Sequence, residues 1–160
     1  MKFVADGMLG RLTRWLRILG HDVKYSTTMA DSQLIAVARR EKRVLLTRDL
    51  ELYKQATAKG VEVFYFQGLT GDEKLAEVSR RFNICMEIDL TVSRCSKCNA
   101  KLKQTTKEKV RGKIEENTLL RYNEFWKCPK CGQIYWQGSH WDGIRRTLES
   151  VKACLDASSD

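Results

Sequence analysis

Two cysteine pairs and three aspartates are the residues whose types and spacing carry chemistry. Cys95-Ser96-Lys97-Cys98 and Cys128-Pro129-Lys130-Cys131 are C-x-x-C units with 29 residues between them. A turn of this kind aims two thiolates at one metal, and two such turns complete a tetrahedral zinc shell. Four protein ligands leave no open position for water, so the expectation is one structural zinc per chain. Asn99 and Gly132 each follow the second cysteine of a unit. Both tolerate the left-handed backbone that a knuckle often needs. Cys85 and Cys154 belong to no such unit and are expected to be small buried apolar residues.

The aspartates sit at equivalent places in an alternating pattern. Asp6 closes a first apolar run, Asp31 opens the helix after a second, and Asp49 follows a third in Leu46-Thr47-Arg48-Asp49. In a parallel sheet all strand ends of one sense lie on one edge, and ligands bind there. The three carboxylates are thus expected to share a rim. Clustered carboxylates repel unless a cation neutralises them. Oxygen ligands without His or Cys suit Mg²⁺ or Mn²⁺, ions that activate water for phosphoryl displacement. Helix capping is the competing reading for Asp31 and Asp49, because Asp is favoured at N-caps for that reason alone.

The elements that must position these groups follow from periodicity. Phe3-Val4-Ala5 reads as a buried strand, and Met8, Leu9, Leu12, Trp15, Leu16 and Leu19 recur at helical spacing up to Gly20. Strands at Val23–Tyr25, Val44–Leu46 and Val61–Phe66 alternate with helices at Asp31–Lys42, Asp49–Lys59 and Asp72–Phe82. Residues 84–89 suggest a last strand. Strand-helix alternation predicts an α/β fold, a parallel sheet flanked by helices. Near residues 90–94 the pattern gives way to Lys- and Thr-rich stretches. Residues 1–90 are therefore read as one domain, and 91–160 as a small β-rich zinc ribbon with a C-terminal helix.

Charge points to a polyanionic partner. The net charge is +9, which suits nucleic acid. Residues 1–90 carry 15 Lys and Arg against 12 Asp and Glu, and residues 91–160 carry 14 against 8. No run approaches a membrane span, and Lys2 interrupts any signal-peptide pattern. The expected compartment is the reducing cytoplasm, where six cysteines are a poor disulfide framework. Lys127, Lys130, Trp136, His140 and Trp141 cluster around the second knuckle. Basic and aromatic residues together hold phosphates and stack bases, although small ribbons also need aromatics as core. For His140, contact with RNA or the active site competes with a structural hydrogen bond. Arg14 and Arg17 are candidates for the approach to the acidic rim, and Arg48 for a phosphate; solvated helix faces are the alternative.

Asp31-Ser32-Gln33-Leu34-Ile35-Ala36-Val37-Ala38, followed by Leu45-Leu46-Thr47-Arg48-Asp49, resembles the paired motifs of PIN-like nucleases. Val4-Ala5-Asp6-Gly7-Met8-Leu9-Gly10-Arg11-Leu12, Leu16-Arg17-Ile18-Leu19-Gly20, Ser93-Arg94-Cys95 and Tyr135-Trp136-Gln137-Gly138-Ser139-His140-Trp141 resemble one branch of them. That branch is the Mut-seven C-terminal RNase family, a PIN-like domain fused to a zinc ribbon. The resemblance covers residues 2 to about 145. It implies metal-dependent RNA cleavage with Asp6, Asp31 and Asp49 as catalytic metal ligands, acting on single-stranded or structured ribosomal or transfer RNA. Many PIN nucleases carry a further acid between the positions of Asp6 and Asp31. Here Asp22 alone lies between, at a strand start and so on the opposite edge, while Asp72 follows the fourth strand. The competing functions are a catalytically weak RNA-binding or ribosome-associated module, and a toxin-type PIN protein.

Overall fold

The computed structural model describes residues 1–157. The first half alternates as its periodicity requires: β1 (Lys2–Ala5), α1 (Gly10–Ile18), β2 (Asp22–Tyr25), α2 (Asp31–Glu41), β3 (Val44–Thr47), α3 (Leu50–Ala58), β4 (Val63–Tyr65) and α4 (Gly71–Phe82). All four strands pair in parallel, in the order β2-β1-β3-β4. The order reverses at β1, so the carboxyl edge between β1 and β3 is the topological switch point, where open parallel sheets bind ligands.

Alternation along each strand feeds two cores. Phe3, Ala5, Val44 and Leu46 face the side covered by α1 and α4. Val4 and Leu45 face α2 and α3, where Leu34, Ile35, Leu52 and Ala56 cover them. Gly20 ends the turn after α1 at φ 100°. A Cβ there would meet the Val92 carbonyl at 3.2 Å. Positive φ and the close approach both exclude larger residues.

Residues 84–89 do not form a strand. Ile84 and Met86 are buried while Cys85 and Glu87 are exposed, so the period of two is real. Its apolar side chains enter the core without a ladder. Cys85 is consequently exposed rather than buried, whereas Cys154 is half-buried against the main core.

The second half forms β5 (Lys103–Thr105), α5 (Lys107–Val110), α6 (Glu116–Arg121), β6 (Phe125–Lys127), β7 (Ile134–Tyr135) and α7 (Trp141–Ala157). β5, β6 and β7 make a separate antiparallel sheet in that order. Leu102, Trp126, Trp141, Leu148 and Val151 belong to the same hydrophobic cluster as Phe3 and Leu16. α7 packs along α4, where the Ser150 hydroxyl donates to Asp72 at 3.2 Å. No helix among the described residues is long and apolar enough to cross a membrane.

Candidate active site and metal centre

The carboxyl edge is built from the residues immediately beyond β1 and β3. Ala5 pairs with Leu46, and the Asp6 N–H donates to the Leu46 carbonyl at 3.1 Å. This extra bond fixes Asp6 at the strand end, where its side chain is buried. Asp6 Oδ1 accepts the Met8 N–H at 2.9 Å. Its Oδ2 accepts the Arg48 N–H at 3.2 Å and the Thr47 hydroxyl. Thr47 is fully buried, and its Oγ1 accepts the Asp49 N–H at 2.9 Å. A continuous relay thus runs from Asp49 through Thr47 to Asp6.

Asp49 caps α3: one carboxylate oxygen accepts the N–H groups of Glu51 at 2.9 Å and Leu52 at 3.3 Å. Capping occupies Oδ1 and leaves Oδ2 without a partner among the described residues. Asp31 is different. Ala30 is the N-cap of α2, Asp31 is the first helical residue, and its carboxylate accepts no hydrogen bond among the described residues. The capping explanation therefore holds for Asp49 and fails for Asp31. All three aspartates lie on the carboxyl edge, but they are not drawn into one tight group. Among the described residues, the four cysteines are the one cluster of three or more such side chains close enough to share an ion.

Cations flank this edge. Arg48 is exposed beside Asp49. Lys74, in the first turns of α4, is held below its ordinary pKa by burial and by the charge of Arg48. The Arg11 guanidinium lies against Gly71, 3.8 Å from where a Cβ would stand. No sequence signal pairs Lys74 or Arg11 with the aspartates. Thr47 was visible only as part of a motif, without its role.

The cysteine centre is symmetrical in its hydrogen bonds. Cys95 N–H donates to the Ala100 carbonyl at 2.8 Å, and Cys128 N–H to the Gln133 carbonyl at 2.9 Å. Asn99 and Gly132 donate back to Cys95 and Cys128 at 2.9 and 3.0 Å, at φ 75° and 81°. These are the left-handed positions that Asn and Gly are expected to tolerate. Sulfur separations are 3.6 Å for Cys95–Cys131 and 3.3 Å for Cys98–Cys128, and all four sulfurs lie within 4.8 Å of one another. A tetrahedral zinc with bonds of about 2.3 Å places its sulfurs roughly 3.8 Å apart, so the donor set fits. Burial raises the Cys128 thiol, but N–H groups of Cys131 and Lys130 and the Cys98 thiol outweigh it and carry Cys128 below its ordinary range.

A family model, the Mut7-C RNAse domain, matches residues 1–148 of the 160. The chain belongs to the Mut7-C RNAse domain family. Comparisons with curated proteins and with solved structures give no match.

Within this Mut7-C chain the basic and aromatic candidates separate by environment. Arg14, Lys130 and His140 are exposed; Lys127 and Trp136 are half-buried. Arg17 is buried, donating from Nε and Nη2 to the Val23 carbonyl at 3.0 and 2.8 Å and from Nη1 to the Ser96 carbonyl at 3.1 Å. Three of its five N–H groups are thus taken up by backbone carbonyls of the fold. Trp141 is also buried, in the main core, with little face left for stacking. Trp136 packs on Phe125, ring centroids 6.2 Å apart. Arg14, His140 and Trp141 line one groove. Asp22 is on the opposite edge, as its place at a strand start required, bonded to Arg43 at 2.9 Å and to Asn99 at 2.7 Å.

Proposed function

We propose that the chain is a metal-dependent ribonuclease that hydrolyses RNA phosphodiester bonds at the carboxyl edge of the parallel sheet. The observation that carries this reading is the relay Asp49–Thr47–Asp6 across the switch point, with Asp31 on the same edge, in a chain of an RNase-domain family. Asp6, Asp31 and Asp49 would hold Mg²⁺ or Mn²⁺, since their donors are all oxygen. Such an ion, when bound, makes water a better nucleophile and offsets charge on the phosphoryl group.

The protein's own groups have separable tasks. Thr47 and the N–H groups of Met8 and Arg48 hold the Asp6 carboxylate in one orientation. Arg48 and Lys74 would bind phosphate oxygens. No imidazole is among the partners of Asp6 in the described residues; attack by water with departure of the 3′-oxygen, which takes up a proton, would leave 5′-phosphate and 3′-hydroxyl ends. Residues 91–160 would act as a zinc ribbon, with Cys95, Cys98, Cys128 and Cys131 on one structural zinc.

Asp31→Asn is the cleanest test, because its carboxylate has no hydrogen bond to lose. Cleavage of single-stranded RNA in Mn²⁺ should fall by orders of magnitude at unchanged melting temperature. Asp6→Asn is less clean: it turns an amide N–H toward existing donors and costs about 1–3 kcal/mol of stability. A second reading is an RNA-binding module with weak or no catalysis. It is favoured by the three donors already on Asp6 and by the separation of the aspartates. Wild-type protein inert in both Mg²⁺ and Mn²⁺ would establish that second reading, whereas full activity in Asp31→Asn would remove Asp31 from the metal site.

A further inference from the structure

We infer that the groove between α1 and the start of α7 is a nucleobase subsite for single-stranded RNA; the identity of the strand rests on the ribonuclease reading. The groove encloses about 330 Å³, near the lower end of roughly 300–1,000 Å³ for ligand pockets. That volume suits one planar ring and not a duplex. Its walls are aromatic and apolar, with half-buried Trp15 and Tyr135 among them and the buried Trp141 behind. Its mouth carries two cations, the exposed Arg11 and Arg14, beside an exposed His140. No carboxylate lines it.

Charge complementarity selects the occupant. Arg11 and Arg14 lie three residues apart on α1, and neither pairs with a carboxylate among the described residues. Two uncompensated arginines over an aromatic hollow match phosphates on either side of a stacked base. The His140 ring is held edge-on between Trp136 and Trp141, with centroids 6.2 and 6.3 Å away. The residue is nonetheless exposed.

Position connects the groove to the acidic edge. α1 begins four residues after Asp6. The Arg11 guanidinium rests against Gly71, the first residue of α4, at the carboxyl end of the sheet. Arg11 to Trp15 spans four residues, about 6 Å of helix. A strand with one phosphate at Asp6 reaches this hollow within a few nucleotides, past Arg11.

The test compares eight-residue oligoadenylate with an abasic strand of equal length, without added divalent metal. Wild-type protein should bind the adenylate about tenfold more tightly, with quenching of tryptophan fluorescence. Ile144→Glu, at the groove wall, should bring the two affinities together. Trp15→Phe should remove most of the quenching while holding affinity within about twofold, since phenylalanine still stacks. Arg14→Ala, an exposed and safely folded change, should weaken both strands alike. Equal binding of the two strands by wild-type protein, or a preference that survives Ile144→Glu in folded protein, overturns the inference and leaves the groove to an acidic protein segment. RNA cleavage without base preference would remove the subsite and keep the nuclease; base preference without cleavage in Mn²⁺ would do the reverse.

Discussion

The buried hydroxyl of Thr47 donates to the carboxylate of Asp6 while accepting the backbone N–H of Asp49. One side chain therefore ties the carboxylate of Asp6, just beyond β1, to the backbone of Asp49, just beyond the adjacent β3. Thr47→Val keeps the shape and removes the hydroxyl. It leaves a part-buried N–H and a buried carboxylate lone pair unpaired, at about 2 kcal/mol. Thr47→Ser should recover most of that loss. Urea denaturation of the pair checks it, and equal stability of Val and Ser variants would show the relay to be energetically idle.

Arg17 and Arg14 lie on one helix and should behave oppositely. Arg17→Met removes the donors to the Val23 and Ser96 carbonyls and should cost roughly 3 kcal/mol, with RNA affinity of the folded protein unchanged. Arg14→Ala should leave stability within about 0.5 kcal/mol and weaken RNA binding. The difference should grow at low salt, because phosphate contacts act through counterion release. Thermal melts and a salt titration of binding separate the two.

The cysteine centre predicts a metal-linked stability. Protein prepared without added zinc should contain about one equivalent. Cys128→Ser should lose it and lower the melting temperature by on the order of 10 °C. The transition should stay single, because Trp126 and Leu102 share a core with Phe3. For the same reason, deleting residues 91–160 would expose that core and report on folding, not on RNA. A stable, zinc-free wild-type protein would remove the metal from the account.

Acid should loosen the amino edge of the sheet. Hydrogen bonds from Lys24 and Arg43 hold the Glu41 carboxyl down at about 2, from an ordinary 4.5. Burial pushes Asp22 up, but Arg43 and Asn99 outweigh it and hold it below its ordinary range. A depressed carboxyl pKa contributes stability above the unfolded value and loses it as pH falls through the folded one. Stability should thus decline from about pH 4.5 toward pH 2. Glu41→Gln should be less stable at neutral pH and show a shallower decline, leaving the share of Asp22. An unchanged slope in melting temperature against pH would refute the assignment.

Sequence alone determined whatever has a local cause. Periods of two and 3.6 gave the strands and helices through Phe82, since side-chain direction depends on nearest neighbours in the chain. The spacing of Cys95, Cys98, Cys128 and Cys131 fixed the sulfur cluster, and Asn99 and Gly132 its turns, because each knuckle closes within six residues. Placement of Asp6, Asp31 and Asp49 on one edge followed from alternation, as all parallel strands end on the same side. Tertiary structure decided the rest. Strand order put Asp6 beside Thr47, 41 residues away in the chain. Packing of residues 93–99 on α1 and β2 buried Arg17, although its helical position resembled that of exposed Arg14. Residues 84–89 have a strand's alternation but no ladder, because alternation is a property of the segment and a ladder needs a partner. Burial and pairing depend on residues distant in the chain, and no local pattern records which ones arrive.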